Sequence, residues 1–425
     1  MLATLSLLFV VIVAYLFAHF VVDRLENKFF FSSGGEYLLL GILVGPASPW
    51  FTALSGDVLA QLAPLMSLAI GWMGLFYGTR IQFPTIAGSR FTSGRVAIIE
   101  AAVTAGVVAG VSSVAFHFLP FSWEGPKQWA FALATLSVAA TVASPYTVKL
   151  VKRKLNAEGE TTNLLEKSFH INELLAIVGF GAILCIFHTP HPVFEGRPTW
   201  IEWFVITIAL GAILGVLFGM FLGDEHNEDK QFLALVGIVV FASGLAYSLE
   251  LSPLLVNLVL GVVLVRVADA QLVNEIDQAL ERSSRPMYIV MLIFAGAMTT
   301  VTGWLPWALA GIFVAARSIG KLTGGAVASI GLPCTRFDQG RGMLGHGDVA
   351  VAMALNILLV YPGELGKMLS AAILASVFLN EFWSSRLLKG LLIDTGDIRH
   401  ESDLPSSNAR KGVEDQPTPF IEQGA

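Results

Sequence analysis

Apolar runs of about twenty residues recur along the chain as far as residue 392, and this property decides most of what it can fold into. A helix of about 20 apolar residues is what it takes to cross the hydrocarbon core of a bilayer. Only 14% of the 425 residues are charged, where a soluble domain carries about 25%. The missing charge is accounted for if most of the chain faces lipid rather than water. The expected fold class is therefore an all-α polytopic membrane protein.

Measured against that length, the sequence divides into about thirteen transmembrane helices. They fall near 2–22, 36–53, 57–79, 96–119, 128–149, 166–188, 200–222, 230–249, 251–268, 286–304, 306–329, 341–361 and 365–390. The first run has no positive segment before it, and its basic residues, Arg24 and Lys28, follow it. That pattern describes a first span with its N-terminus outside rather than a cleaved signal peptide. With that orientation the inside loops and the C-terminal segment hold nearly all the lysine and arginine. The outside loops hold only Lys127, Arg197 and Lys367, and Arg317 and Lys321 are left within a span. The distribution follows the positive-inside rule and supports an odd span count, N-terminus outside and C-terminus in the cytoplasm.

An odd count splits naturally into two inverted six-helix repeats, about 1–190 and about 230–392, joined by a linker helix at about 200–222. The linker carries Gly211, Gly215, Gly219 and Gly223 at four-residue spacing, a small-residue face suited to close helix packing. Residues 1–392 thus form one transmembrane domain. The polar, proline-bearing segment 393–425 is expected to be a disordered cytoplasmic tail.

Several function classes are disfavoured. No basic run with interleaved aromatics suggests nucleic acid. There is no CxxC, HExxH or Cys/His cluster for zinc, and the two cysteines, Cys185 and Cys334, fall toward opposite membrane faces. No strand followed by GxGxxG points to a nucleotide-sensing module. No nucleophile, base and orienting group gather at one face, so an enzyme is not expected, and neither is a cofactor.

Charge inside a bilayer costs about 2.5–3.5 kcal/mol per residue on insertion scales, so what survives there marks function. Glu173, Arg317, Lys321 and Asp348 lie deep in these spans, and Glu100 lies shallower, one turn above Arg95. Glu173 follows Asn172 in SFHINELLAIVGFGAIL. A carboxylate in a low-dielectric setting can take up and release a proton near physiological pH. Ionised, it is a hard oxygen ligand for a small cation. A group that accepts a proton or a cation, but not both, supplies the chemistry of antiport; the alternative is a structural pairing with a lysine. Arg317 and Lys321, four apart, share one helix face. Each also has a bland reading, an ion pair for Arg317 and snorkelling for Lys321.

Two spans are interrupted. In ATLSVAATVASPYTVKLV, Pro145 removes a backbone donor, and Thr141, Ser144 and Thr147 surround it with hydroxyls. In GRGMLGHGDVAVAMALNILLV, Gly345 and Gly347 flank His346, and Asp348 follows. One break alone is an ordinary kink; breaks at matching places in two halves point to a transporter's binding site, where free carbonyls and half-helix ends meet an ion.

In these features the chain resembles the monovalent cation:proton antiporter superfamily, the sodium/proton exchanger-like membrane domain. GGEYLLLGILVGP looks like its second span, LAPLMSLAIGWMGLFYGTRIQF like its third, TVASPYTV and GHGDVAVAMALNI like its two crossing helices, and ARSIGKLTGG like its basic span. INELLAIV stands where the family carries Asn-Asp or Asp-Asp, with glutamate at 173 in place of the usual aspartate. The resemblance implies exchange of Na+ or K+ for protons by a homodimer in the cell (inner) membrane. Spans 4–6 and 11–13 would form a core moving against a scaffold of spans 1–3 and 8–10. It places ion and proton binding at Glu173, Asn172, Ser144, Thr141 and Asp348, charge compensation at Lys321 or Arg317, and a pH-sensing role at His346. The alternatives are a transporter of another solute on the same fold, or a transporter-derived receptor that moves nothing.

Overall fold

A computed structural model describes residues 34–46, 56–81, 89–121, 123, 125–189, 198–222, 228–300, 303–332 and 335–398. The described residues are helical with short connections. In chain order the helices are α1 (Gly35–Val44), α2 (Gly56–Gln61), α3 (Ala63–Thr79), α4 (Ser89–Phe118), α5 (Pro126–Thr141), α6 (Pro145–Leu155) and α7 (Glu160–Ile186). They continue as α8 (Trp200–Leu222), α9 (Glu228–Ser248), α10 (Pro253–Val267), α11 (Ala270–Met298), α12 (Leu305–Ala328), α13 (Asp348–Val360) and α14 (Glu364–Asp394). A 3-10 turn, Gln339–Met343, precedes α13.

Among the described residues, seven helical stretches are long and apolar enough to cross a membrane, one of them formed by α5 and α6 together. Shorter apolar helices, α1, α10 and α13, pack among them. The chain is an integral multi-pass membrane protein. The first expected span, Gly223, Cys334 and the tail beyond residue 398 lie outside the described residues.

Two spans differ from the sequence expectation. The third is not one rod from 57, because Leu62 separates α2 from α3. The tenth, expected from 286, is the second half of α11, which begins at Ala270 and carries Pro286 within it. The first half of α11 is amphipathic, with Leu272, Ile276 and Leu280 buried, Glu275 and Asp277 between them, and Glu281 and Arg282 directly after. A helix of that pattern lies along a surface rather than through lipid. The turn expected between the eighth and ninth spans is present at Leu249–Ser252, with Glu250 in the left-handed region at φ 54°.

Close backbone contact organises the packing. A methyl group placed on Gly78 would lie 2.2 Å from the Leu258 carbonyl oxygen, and one on Gly74 would lie 2.2 Å from that of Leu254, so α3 and α10 touch along their backbones. The stripe on α8 works in the same way: Gly211 and Gly215 face the Val256 and Leu260 carbonyls of α10. In lipid such approach supplies the van der Waals contact that hydrophobic burial cannot. One group of helices forms around α10, namely α3, α8, α9 and, through α3, α11 with α1. A second group comprises α4 to α7 with α12 to α14. The groups meet where α13 contacts α3 and α11, and where α7 contacts α8 and α10.

Candidate functional site

The meeting place of the two groups is built on the two interrupted spans. Pro145 opens α6, and the three residues before it, Val142 to Ser144, leave helical geometry so that α5 ends at Thr141. Proline favours this position because it has no N–H to lose there, and it bars the preceding residue from helical geometry. Across from it, residues 344–347 belong to no helix, and Gly347 is extended before Asp348 starts α13. The breaks touch: a methyl group on Gly347 would sit 3.3 Å from the Ser144 side chain, and one on Gly345 would sit 3.1 Å from Thr147 Oγ1.

Breaking a helix in a bilayer frees carbonyls that need partners. Here they come from α12. Arg317 donates to Val142 O (2.8 Å), Leu344 O (2.8 Å) and Gly345 O (3.0 Å), so one planar fork holds both breaks. One turn along, Lys321 donates to Thr141 O at 2.7 Å. Both side chains are fully buried. Neither has Glu173 among its hydrogen-bond or ion-pair partners. Lys321 is paired instead with Glu100 of α4, at 3.0 Å, in a wholly buried ion pair.

Glu100 is the residue whose depth the sequence understated. It also accepts from Thr104 Oγ1 (2.7 Å) and from Asn172 Nδ2 (2.7 Å). It lies eleven residues beyond the start of α4 at Ser89, about 16 Å along a helix that rises 1.5 Å per residue, so the helix length was the available signal. The bond to Glu100 fixes the amide of Asn172 and leaves its oxygen, Oδ1, buried without a hydrogen-bond partner.

Beside it, Glu173 is fully buried. Its Oε1 accepts from the Tyr77 hydroxyl of α3 at 2.9 Å, and the same hydroxyl lies 2.6 Å from Asp348 Oδ1. Glu173 Oε2 has no hydrogen bond, and its basic neighbour, His170 Nδ1, stands 3.5 Å away. The site thus brings Glu173 and Asp348 together through Tyr77, a residue whose sequence context marks it only as an aromatic in an apolar span. Asp348 Oδ1 also accepts from the Val349 N–H at the start of α13.

The remaining expected residues are arranged around this pair. Ser144 lines a cavity of about 90 Å³ with Thr147, Asp348 and Glu381. Thr141 turns its hydroxyl back to the Val138 carbonyl and offers its own carbonyl to Lys321. His346 is buried, with Nε2 3.0 Å from Ala139 O and Nδ1 3.1 Å from Ser376 Oγ. A carbonyl only accepts, so Nε2 carries a proton, and in the neutral ring Nδ1 receives the serine hydroxyl. Glu381, not singled out in the sequence, accepts from the Gly35 N–H of α1 at 2.7 Å. Among the described residues no group of three or more His, Cys, Asp or Glu is placed to hold a metal ion.

Known proteins share this fold. The sodium proton antiporter MjNhaP1 from Methanocaldococcus jannaschii, at pH 8, matches with a TM-score of 0.67 at 15% identity over 93% of this chain and 99% of that one. An electron-microscopy structure of the same antiporter matches with a TM-score of 0.60 at 15% identity, over 95% and 99% of the two chains. In sequence, sodium/hydrogen exchanger 9B1 of Homo sapiens is 26% identical over 126 residues. That match covers 29% of this chain and 24% of the exchanger, so this chain spans about a quarter of that relative's length. No family model matches the sequence.

Proposed function

We propose, from its likeness to the monovalent cation:proton antiporter superfamily, that this protein is a secondary active transporter exchanging Na+ or K+ for protons by alternating access. The observation that carries the reading is the buried carboxyl of Glu173, set beside contacting helix breaks with one oxygen free of hydrogen bonds. The sequence relative is described as a sodium/hydrogen exchanger and the structural one as a sodium proton antiporter, which agrees with it.

In this reading Glu173 carries either a proton or the cation. Glu173 Oε2 and Asn172 Oδ1, both buried and unbonded, are hard oxygen donors on consecutive residues. Ser144 and the carbonyls of the breaks complete a monovalent cation's shell, and Asp348 adds a second carboxylate. Arg317 and Lys321 supply the positive charge that the break carbonyls and Glu100 require. They balance the core's charge from those anchors rather than by contact with Glu173. His346 holds the crossing by joining α14 to the end of α5.

The helix group of α4 to α7 and α12 to α14 is the moving core, and the group around α10 is the scaffold. The scaffold forms a homodimer in the cell membrane, with the N-terminus outside and the C-terminus in the cytoplasm. Two inverted repeats, about 1–190 and 230–392, generate the crossing, and the segment after 392 is a cytoplasmic tail.

The test is dissipation of a pH gradient in reconstituted vesicles against Na+, K+ and Li+ in turn, wild type beside Glu173→Gln. Wild type is expected to release the gradient with at least one cation and Glu173→Gln with none. Exchange by Glu173→Gln equal to wild type would overturn the assignment.

A further inference from the structure

Tyr77 belongs to α3, while the two carboxyl groups it touches come from α7 and α13. Its hydroxyl oxygen is within hydrogen-bond reach of both, 2.9 Å from Glu173 Oε1 and 2.6 Å from Asp348 Oδ1. A phenol has one proton to give, and an ionised carboxylate can only accept. Tyr77 can therefore donate to one of the two. The other contact is a hydrogen bond only if that carboxyl carries a proton and donates it to the phenol oxygen. With both carboxyls ionised, one would face the phenol's lone pairs at hydrogen-bond distance in a buried site, an arrangement that costs energy.

The distances assign the proton. An O–H donating to an ionised carboxylate gives a short contact of about 2.5–2.7 Å, and a bond between neutral groups is longer. The contact to Asp348 is the short one, and Asp348 Oδ1 accepts in addition from the Val349 N–H, at the positive end of α13. Glu173 has the longer contact and no backbone donor, and its basic neighbour, the part-exposed His170 one turn away on the same helix, stands 3.5 Å from the other oxygen, Oε2. Resting on the exchange reading above, we infer that Glu173, Tyr77 and Asp348 form one proton-sharing unit. The structure holds it in its proton-loaded form, with Glu173 neutral, Asp348 ionised and the phenol donating to Asp348.

The step that follows balances. A monovalent cation arriving at Glu173 displaces the carboxyl proton, Glu173 becomes a carboxylate ligand, and one proton leaves for one positive charge gained. Asp348 keeps its charge and Tyr77 keeps its proton throughout. Tyr77 also ties the proton-loaded site to α3, on the opposite side of the boundary between the two helix groups. Cation loading removes the hydrogen bond from Glu173 to the phenol, and with it one of the two bonds that Tyr77 makes across that boundary.

The test uses the full chain in liposomes, with two readouts. The first is the pH profile of cation-driven proton flux. The second is the infrared difference spectrum on adding NaCl or KCl, where a protonated carboxyl shows its own carbonyl stretch. Wild type is expected to lose that stretch when the cation binds, and Glu173→Gln is expected not to show it. Tyr77→Phe removes the acceptor that the neutral Glu173 uses, so the proton is held less tightly. Its flux profile moves toward acid by between about two- and tenfold in proton concentration, the worth of one hydrogen bond. Asp348→Asn keeps an acceptor for the phenol but removes the neighbouring negative charge, and it moves the profile in the same direction. It carries the test if Tyr77→Phe does not fold. Unshifted profiles, or a cation-sensitive carboxyl stretch surviving in Glu173→Gln, overturn the inference. Loss of flux in Glu173→Gln together with unshifted profiles in the other two variants would leave the proposed exchange standing without it.

Discussion

The buried pair between Lys321 and Glu100 makes a quantitative demand. Both side chains are removed from solvent, and their closest approach is 3.0 Å. At an effective dielectric of about 20, two unit charges at that distance attract by about 5.5 kcal/mol. Removing one partner of a buried pair costs about 3–5 kcal/mol, because the survivor remains buried without its counter-charge. Glu100→Gln is the cleaner perturbation, since the amide oxygen still accepts from Asn172 and only the charge is lost. Lys321→Met removes the other charge and leaves the Thr141 carbonyl unpaired. Each single variant is expected to lose about 3–5 kcal/mol, and the double variant less than either, since no lone charge remains. The assay is reversible unfolding in mixed micelles followed by circular dichroism, read as a double-mutant cycle. Costs that simply add would refute the pairing. A harmless Glu100→Gln beside a costly Lys321→Met would show that Lys321 is held by something other than Glu100.

Two further variants probe the frame around the site. Arg317→Met strands the carbonyls of Val142, Leu344 and Gly345, each worth about 1–3 kcal/mol when buried and unpaired. Micelle unfolding should show the protein failing to fold or losing most of its stability, with Arg317→Lys rescuing only in part because a single ammonium lacks the planar fork. Gly78→Val should force α3 from α10, because the new side chain meets the Leu258 carbonyl. A cost of at least about 1–3 kcal/mol is expected, and wild-type thermal stability would contradict the backbone contact.

The breaks in the helices were legible because proline and glycine act locally: Pro145 ends α5 whatever surrounds it, and Gly345 and Gly347 loosen the non-helical stretch before α13. The α8 glycines announced a packing face by their spacing alone. Partners were not legible. Arg317 and Lys321 could be placed at membrane depth, but which oxygens they meet depends on how α12 lies against α4 and both crossings. Glu100 looked shallow because its depth was judged from Arg95, whereas α4 starts at Ser89 and carries it further in. The first half of α11 fell outside the expected spans because its charges offset the apolar Leu272, Ile276 and Leu280 that it buries. Tyr77 carried no signal, since an aromatic in an apolar run has the same appearance whether it fills a core or bridges two acids.

The hold of Glu100 on the Asn172 amide also restricts how this lineage can change. Aspartate at 172 differs from asparagine by one atom and would put a further carboxylate directly beside Glu173. Here it would set a carboxylate oxygen about where Nδ2 now stands, 2.7 Å from a carboxylate that has no proton to offer. Two like charges at that distance exclude each other. A substitution at 172 can therefore succeed only after position 100 has surrendered its charge, and Lys321 would then need a new anchor. Whether an acid can stand beside Glu173 is thus decided by the packing of α4 and α12, and the route to such a form runs through position 100 first.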